Sequence, residues 1–393
     1  MKSDYAGGIR QPALSTAMIW IMSAASGLTV ANIYYIQPIL AQIAKYYQIS
    51  QGYAGLLATV TQIGFALGML LVLPLADMME RRRLILCMLT GAAAFLLLLF
   101  FSPCIETAIL ASLGIGFCSV VPQLLIPFAA QLALPHKRGE VIGSIMSGLL
   151  IGILLSRVVS GIISTYMGWQ RIYGIAALSM VLLGLALQFL LPENQRESTM
   201  TYGDSLRSLA AMICRFTVLR TAVVVGAMAF LEFSAFWTAI TFLLQGPPYY
   251  LGADGVGLFG LAGIAGALFA PLAGKISDYK GTRFTISLSI GIVIASYVIF
   301  SIWGYSLWGL AAGVVLLDLG VQSCNVSNQT RIQQLSETAR NRITSVYMVS
   351  FFLGGSAGSY LAGISFQHFG WTGVCVVGFF SQCIAVCVHL YSK

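Results

Sequence analysis

The chain has 393 residues, 58% of them apolar and only 9% charged, where soluble domains carry roughly 25% charged residues. Its mean hydropathy is +0.87. That composition excludes a soluble enzyme, a disordered chain and a nucleic-acid-binding domain, and marks a polytopic membrane protein.

A helical span needs about 20 mostly apolar residues. The sequence predicts twelve, at 14–40, 52–75, 84–102, 106–134, 140–166, 171–191, 219–246, 255–276, 284–303, 306–332, 343–366 and 372–391. The runs are too long and too unalternated for barrel strands of about 10 residues, so the expected fold class is all-α. The first run follows Lys2 and Arg10 like a secretory leader. It continues to about Leu40, longer than a leader core, and is read as a retained span.

The cations set the expected orientation. With the N-terminus in the cytoplasm, 18 of the 21 Lys and Arg residues fall at cytoplasmic ends. Only Lys45 and Arg171 face the other side, and Arg157 lies within a span. Both termini are therefore expected in the cytoplasm. The net charge of +8 is a topological signal and calls for no nucleic acid. The eight cysteines show no paired metal spacing, and Cys87, Cys118, Cys324, Cys375, Cys383 and Cys387 lie inside spans. They read as small apolar residues, with neither a disulfide framework nor a zinc site.

The longest polar stretch, 192–218, divides the chain into halves 1–191 and 219–393. Two pieces recur across it. Residues 73–82 align with 274–283 at an offset of 201. Arg138, Gly152, Gly161, Gly168 and Trp169 match Arg340, Gly354, Gly363, Gly370 and Trp371 at an offset of 202. Agreeing offsets argue for duplication of a six-helix unit, the parallel-repeat plan of transporters.

These features resemble the major facilitator superfamily along essentially the whole chain. The resemblance implies two pseudo-symmetric six-helix bundles, alternating access, a monomer and a bacterial inner-membrane location. The superfamily's signature loop, G-x-L-a-D-r-x-G-r-r, is matched after span 8 by Gly274, Asp278, Gly281 and Arg283. The first-half copy keeps Asp77, Arg81 and Arg82 but has Leu73 and Glu80 at the glycine positions. In the family this loop helps hold the cytoplasmic gate, so Asp77, Arg81, Arg82, Asp278 and Arg283 are its expected gate residues. Residues 32–38, 317–320 and 327–329 resemble bacterial drug or metabolite exporters, including the sugar-efflux branch. Two marks of drug antiporters are absent: the Arg in span 4 and the G-P-x-x-G-G motif in span 5.

Charge near the bilayer centre marks candidate function. Glu232 lies thirteen residues into span 7, beside Phe233, Phe236 and Trp237, and Asp318 lies twelve into span 10. An ionisable acid there can bind a proton on one side and release it on the other. Gln322, Asn325 and Gln329 follow Asp318 at +4, +7 and +11, on one helix face. That stripe lines a wet cavity or bonds to another helix. Arg157 needs a partner: a carboxylate would make it a structural lock or a proton-coupled switch, a substrate anion a binding residue. Asn32, Tyr34, Tyr35 and Gln37 of span 1 suit a ligand site or an interfacial belt. Span 4 adds Gln123, with Pro122 and Pro127 expected to bend the helix. Small-residue stripes (Ser144 to Ser164 every four residues in span 5; Ala262, Gly266, Ala270 and Gly274 in span 8; Ser350, Gly354, Gly358 and Ala362 in span 11) predict close helix contacts. The family resemblance places them where the halves meet.

The function expected is secondary active transport of a small molecule. Proton-coupled export is the first reading and proton symport or facilitated uptake the second. The absence of a P-loop removes ATP as direct driver. An integral membrane enzyme would need H-E-x-x-H or an acidic cluster, and neither occurs; the one G-x-S-x-G, Gly354 to Gly358, lies within the predicted span 343–366 and not at a strand-to-helix turn. No cofactor or metal is expected; the partners are the substrate, protons and the lipid bilayer.

Overall fold

A computed structural model describes residues 15–76, 78–192, 201–268, 279–336 and 339–391. Ten of its helices are long and apolar enough to cross a bilayer. Span 1 runs over Thr16–Tyr34, tightens through Gln37–Ile39 and resumes over Leu40–Tyr47. Pro38 lies in the tightened turn, where its missing N–H interrupts the helical ladder. The span thus ends at Tyr47 and not near Leu40, as expected from hydropathy. Spans 2 and 3 are Gln51–Ala76 and Arg81–Phe100. Span 4 is two pieces, Ile105–Cys118 and Val121–Leu132. Its break falls just before Pro122, as the prolines predicted. Spans 5 and 6 are Arg138–Met167 and Gln170–Leu190.

Spans 7, 9 and 10 are Thr217–Gln245, Thr282–Trp303 and Leu307–Gln333. Span 8 is described over Ala253–Leu268. The last element, Arg340–Tyr391, has 52 residues, about 78 Å at helical rise and more than twice the bilayer core. Gly370, at φ 61°, bends it, a conformation glycine adopts without strain. It is spans 11 and 12. The protein is all-α with twelve spans, as expected.

The stretch 192–218 holds a helix that hydropathy alone missed, Tyr202–Arg215. Thr201 caps it, accepting from the Asp204 backbone N–H at 3.3 Å. Leu209 and Met212 are buried, and the Tyr202 hydroxyl donates to Leu71 O at 2.9 Å. The signal was present in Leu206, Leu209 and Met212, an apolar row at helical spacing. This helix, with the turns at 78–80 and 334–335, defines a linker face. The turns near 47–51, 168, 246–252 and 370 define the far face.

The small-residue stripes are corrected in their direction. Gly148 and Gly152 of span 5 pack against Gly27 of span 1, and Gly354 and Gly358 of span 11 pack against Ala227 and Leu231 of span 7. These pairs lie within the first six or the last six spans. Both contacts are backbone on backbone, closer than any side chain allows, which is what glycine supplies at tight crossings. Ser144, by contrast, is exposed near the linker face. Of the span 8 stripe only Ala262 has a described side chain.

Candidate functional site

The first and last six spans meet along a seam that is shut at the far face. Thr241 donates to Gln37 O at 2.6 Å, and Gln245 Nε2 to Pro38 O at 3.2 Å. Thr165 Oγ1 donates to Asp254 Oδ1 at 3.3 Å. Gly52 meets Gly363, and Gly161 meets Ala253 and Gly257. One step inward lies a buried neutral network. Gln62 Nε2 donates to Ser359 Oγ at 3.1 Å, Thr238 donates to the same oxygen at 3.0 Å, and Ser234 donates to Gln62 Oε1 at 3.3 Å. None of these four residues stood out in the sequence, because hydroxyls and amides scattered in apolar helices carry no period. Below them Phe65 and Phe352 pack with ring centroids 4.4 Å apart.

Toward the linker face the seam loosens. Gln322, Asn325 and Gln329 continue the face of span 10 that bears Asp318, and all three remain partly exposed. Asn325 Oδ1 accepts from Tyr347 and from Gln329 Nε2, each at 3.1 Å. Gln123 is also partly exposed.

The centre of the seam holds Arg157 and Asp318, each 2% exposed. Arg157 comes from span 5. Its Nε donates to Gln37 Oε1 at 2.7 Å, and its guanidinium carbon lies 4.1 Å from the Trp237 ring centroid, 5.1 Å from Tyr34 and 5.6 Å from Phe233. An aromatic cage of this kind attracts a cation. Arg157 and Asp318 are within electrostatic reach but make no ion-pair contact. Span 8 runs between them. A Cβ on Gly260 would lie 3.3 Å from Arg157 Cβ, and one on Gly263 would lie 3.0 Å from Asp318 Oδ2 and 3.4 Å from Trp237 Cζ2. Glycine at 263 is what lets carboxylate and indole edge converge. Arg157 Nη2, Asp318 Oδ2 and Trp237 Nε1 are all buried without a hydrogen-bond partner.

The structure thus brings together five of the sequence-predicted residues: Arg157, Asp318, Tyr34, Gln37 and Trp237. It places others elsewhere. Asn32 Nδ2 points to Met180 Sδ of span 6 at 3.6 Å. Tyr35 contributes its carbonyl, which accepts from Ser160 at 2.5 Å. Phe236 stacks on Phe300, 4.5 Å between centroids, inside the last six spans.

Glu232 is fully buried and faces away from the seam. Its carboxylate oxygens both accept from Gln382 Nε2, and Oε2 accepts from Ser381 at 3.4 Å. Its backbone carbonyl accepts from Tyr297 at 2.8 Å. The narrow void beside it, lined by Ser289, Cys324 and Gln382 among others, has no room for water and belongs wholly to the last six spans.

The comparisons agree with this architecture. A model described as the Major Facilitator Superfamily matches residues 19–358. The chain belongs to that superfamily. It is 42% identical over 365 residues to the uncharacterized transporter YgaY of Escherichia coli, covering 93% of each chain. It is 24% identical over 343 residues to a probable sugar efflux transporter of Helicobacter pylori, covering 84% of each. The crystal structure of the nucleoside transporter NupG superposes with a TM-score of 0.76 at 13% identity, over 95% of this chain and all of that one. This chain is a multi-pass membrane transporter of small molecules, not an enzyme.

Of the superfamily's signature loops, Asp77 and Asp278 lie outside the described residues. Arg81 is buried; its Nε donates to Ala76 O at 3.3 Å and its Nη1 to Gln131 Oε1 at 2.5 Å. Arg82 donates to Gln188 O, and Arg83 pairs with Glu80 at 2.6 Å. These bonds join spans 2, 3, 4 and 6 to one another and do not cross the seam. Arg283 is exposed, close to Arg331 and His389.

Proposed function

We propose that the protein is a proton-coupled exporter working by alternating access, with Asp318 as coupling acid and Arg157 as the charge it answers to. The halves 1–191 and 219–393 move as rigid bodies joined by 192–218. The linker face is cytoplasmic, on the cation distribution, in a bacterial inner membrane. The structure is then an inward-facing state. One observation carries the reading: a buried cation from the first six spans and a buried acid from the last six approach across the seam without pairing.

A buried charge left unpaired is costly, so the pair responds to whatever enters between the halves. Substrate arriving from the cytoplasm favours deprotonated Asp318. Rocking opens the far face, substrate leaves, and Asp318 takes a proton there. The protein acts as a monomer, since this site is complete in one chain. Glu232, bonded inside the last six spans, holds spans 7 and 12 together. The missing antiporter motif in span 5 favours a second reading, proton symport by the same acid.

The test is flux in proteoliposomes. Asp318→Asn is expected to abolish pH-gradient-driven transport and to retain counterflow exchange, while Glu232→Gln retains both. Normal gradient-driven flux in Asp318→Asn refutes the coupling assignment. The direction of proton movement with substrate decides between export by antiport and uptake by symport.

A further inference from the structure

The seam cluster has more polar capacity than the protein uses. Arg157 places one bond, on Gln37, and leaves Nη2 free; Trp237 leaves its indole N–H free; Asp318 leaves Oδ2 free. All three residues are at most 2% exposed. Buried polar atoms are almost always satisfied, so three orphans at one place form a built site. Two are donors, one of them cationic, and the third is an anionic acceptor. The Trp237 indole adjoins both charged groups, with the guanidinium on its face and Asp318 Oδ2 converging with its Cζ2 edge on Gly263. Tyr34 and Phe233 add apolar ring surface around the guanidinium.

We propose that this cluster is the substrate site and that the substrate class is small zwitterions with an apolar or aromatic body. The anionic group bonds Arg157 Nη2 and Trp237 Nε1, and the cationic group bonds Asp318 Oδ2. This rests on the transporter reading above and narrows it. A purely anionic ligand leaves Asp318 uncompensated, and a purely cationic one leaves Arg157 so. Each then keeps a desolvated charge without a partner. A zwitterion satisfies all three atoms at once. The partly exposed amides Gln322, Asn325 and Gln329 mark its route from the linker face.

The experiment uses the purified full-length protein and matched quartets of probes. The phenyl quartet is phenylalanine, 3-phenylpropionate, phenethylamine and 2-phenylethanol; tryptophan and leucine quartets follow the same design. Binding is read as ligand-dependent thermal stabilisation. In at least one quartet the zwitterion is expected to bind about ten- to hundredfold more tightly than either single-charge analogue, the worth of one charge-assisted bond. Arg157→Gln should remove the preference for the carboxylate, and Asp318→Asn the preference for the amine. Should Arg157→Gln fail to fold, Trp237→Phe takes its place. That variant keeps an aromatic face but loses the N–H, and should weaken the zwitterion and the carboxylate severalfold while leaving the amine unchanged.

The proposal is overturned if no quartet ranks its zwitterion first, or if Asp318→Asn weakens carboxylate and amine equally. Counterflow in proteoliposomes separates this from the transport reading. Counterflow of a single-charge probe with no zwitterion advantage removes the substrate class and keeps the transporter. A zwitterion that binds best but does not exchange removes transport through this site and keeps the binding class.

Discussion

Removal of a single hydroxyl, Ser359→Ala, should shift the protein toward a far-open state. Ser359 Oγ accepts from Gln62 Nε2 at 3.1 Å and from Thr238 at 3.0 Å. Each neutral bond contributes about 1 kcal/mol net. Both are lost in the variant, and Gln62 Nε2, on a residue 2% exposed, is left buried without an acceptor. The closed far face therefore loses about 2–3 kcal/mol. In the far-open state these groups meet water, so the loss falls on one state only. The population ratio changes roughly 30- to 150-fold. Thr238→Val removes one bond and should shift it roughly fivefold. The two effects should not add, because they share Ser359. Spin labels at exposed Tyr53 and His368, on a background with the cysteines replaced, read the opening directly by electron–electron distance. An unchanged distance distribution in a well-folded Ser359→Ala protein refutes the latch.

Gln382→Leu strips Glu232 of its amide donor and should lower stability by about 1–3 kcal/mol, seen as a lower melting temperature in detergent; Glu232→Gln should cost less. Gly358→Ala puts a methyl into the Leu231 backbone and should cost about 1–3 kcal/mol by overpacking. Gly143→Ala, which meets nothing within 4 Å, should be neutral or stabilise by up to about 1 kcal/mol; equal melting shifts for the two would contradict the crossing geometry. Thr201→Ala removes the cap of the linker helix at a cost of about 1 kcal/mol and should speed amide exchange over 202–215 without altering the spans.

The spans and the central charges were legible because apolar runs of about 20 residues need no period to be seen and charge in lipid is rare. The facing of neighbouring residues was not. Successive helix positions are turned about 100° apart, so Glu232 and Phe233, adjacent in sequence, face different helices: one meets Gln382, the other Arg157. The same turn sends Tyr34 to Arg157 while Tyr35 offers only its carbonyl. Gln382 and Ser359 were invisible for another reason. A lone polar residue in an apolar run reads as helix glue, and only three-dimensional contact distinguishes the glue from a latch.

Trp237 has one more consequence, an optical one. Three of the six tryptophans, Trp20, Trp303 and Trp308, are largely exposed, and Trp169 and Trp371 sit at turns of the far face. Trp237 alone lies beneath a guanidinium at the seam, with an unbonded N–H. Its emission is therefore tuned by one local field, set by Arg157 on its face and Asp318 near its edge. Any molecule that seats between the halves must change that field, so the transport cycle writes itself into the colour of a native fluorophore.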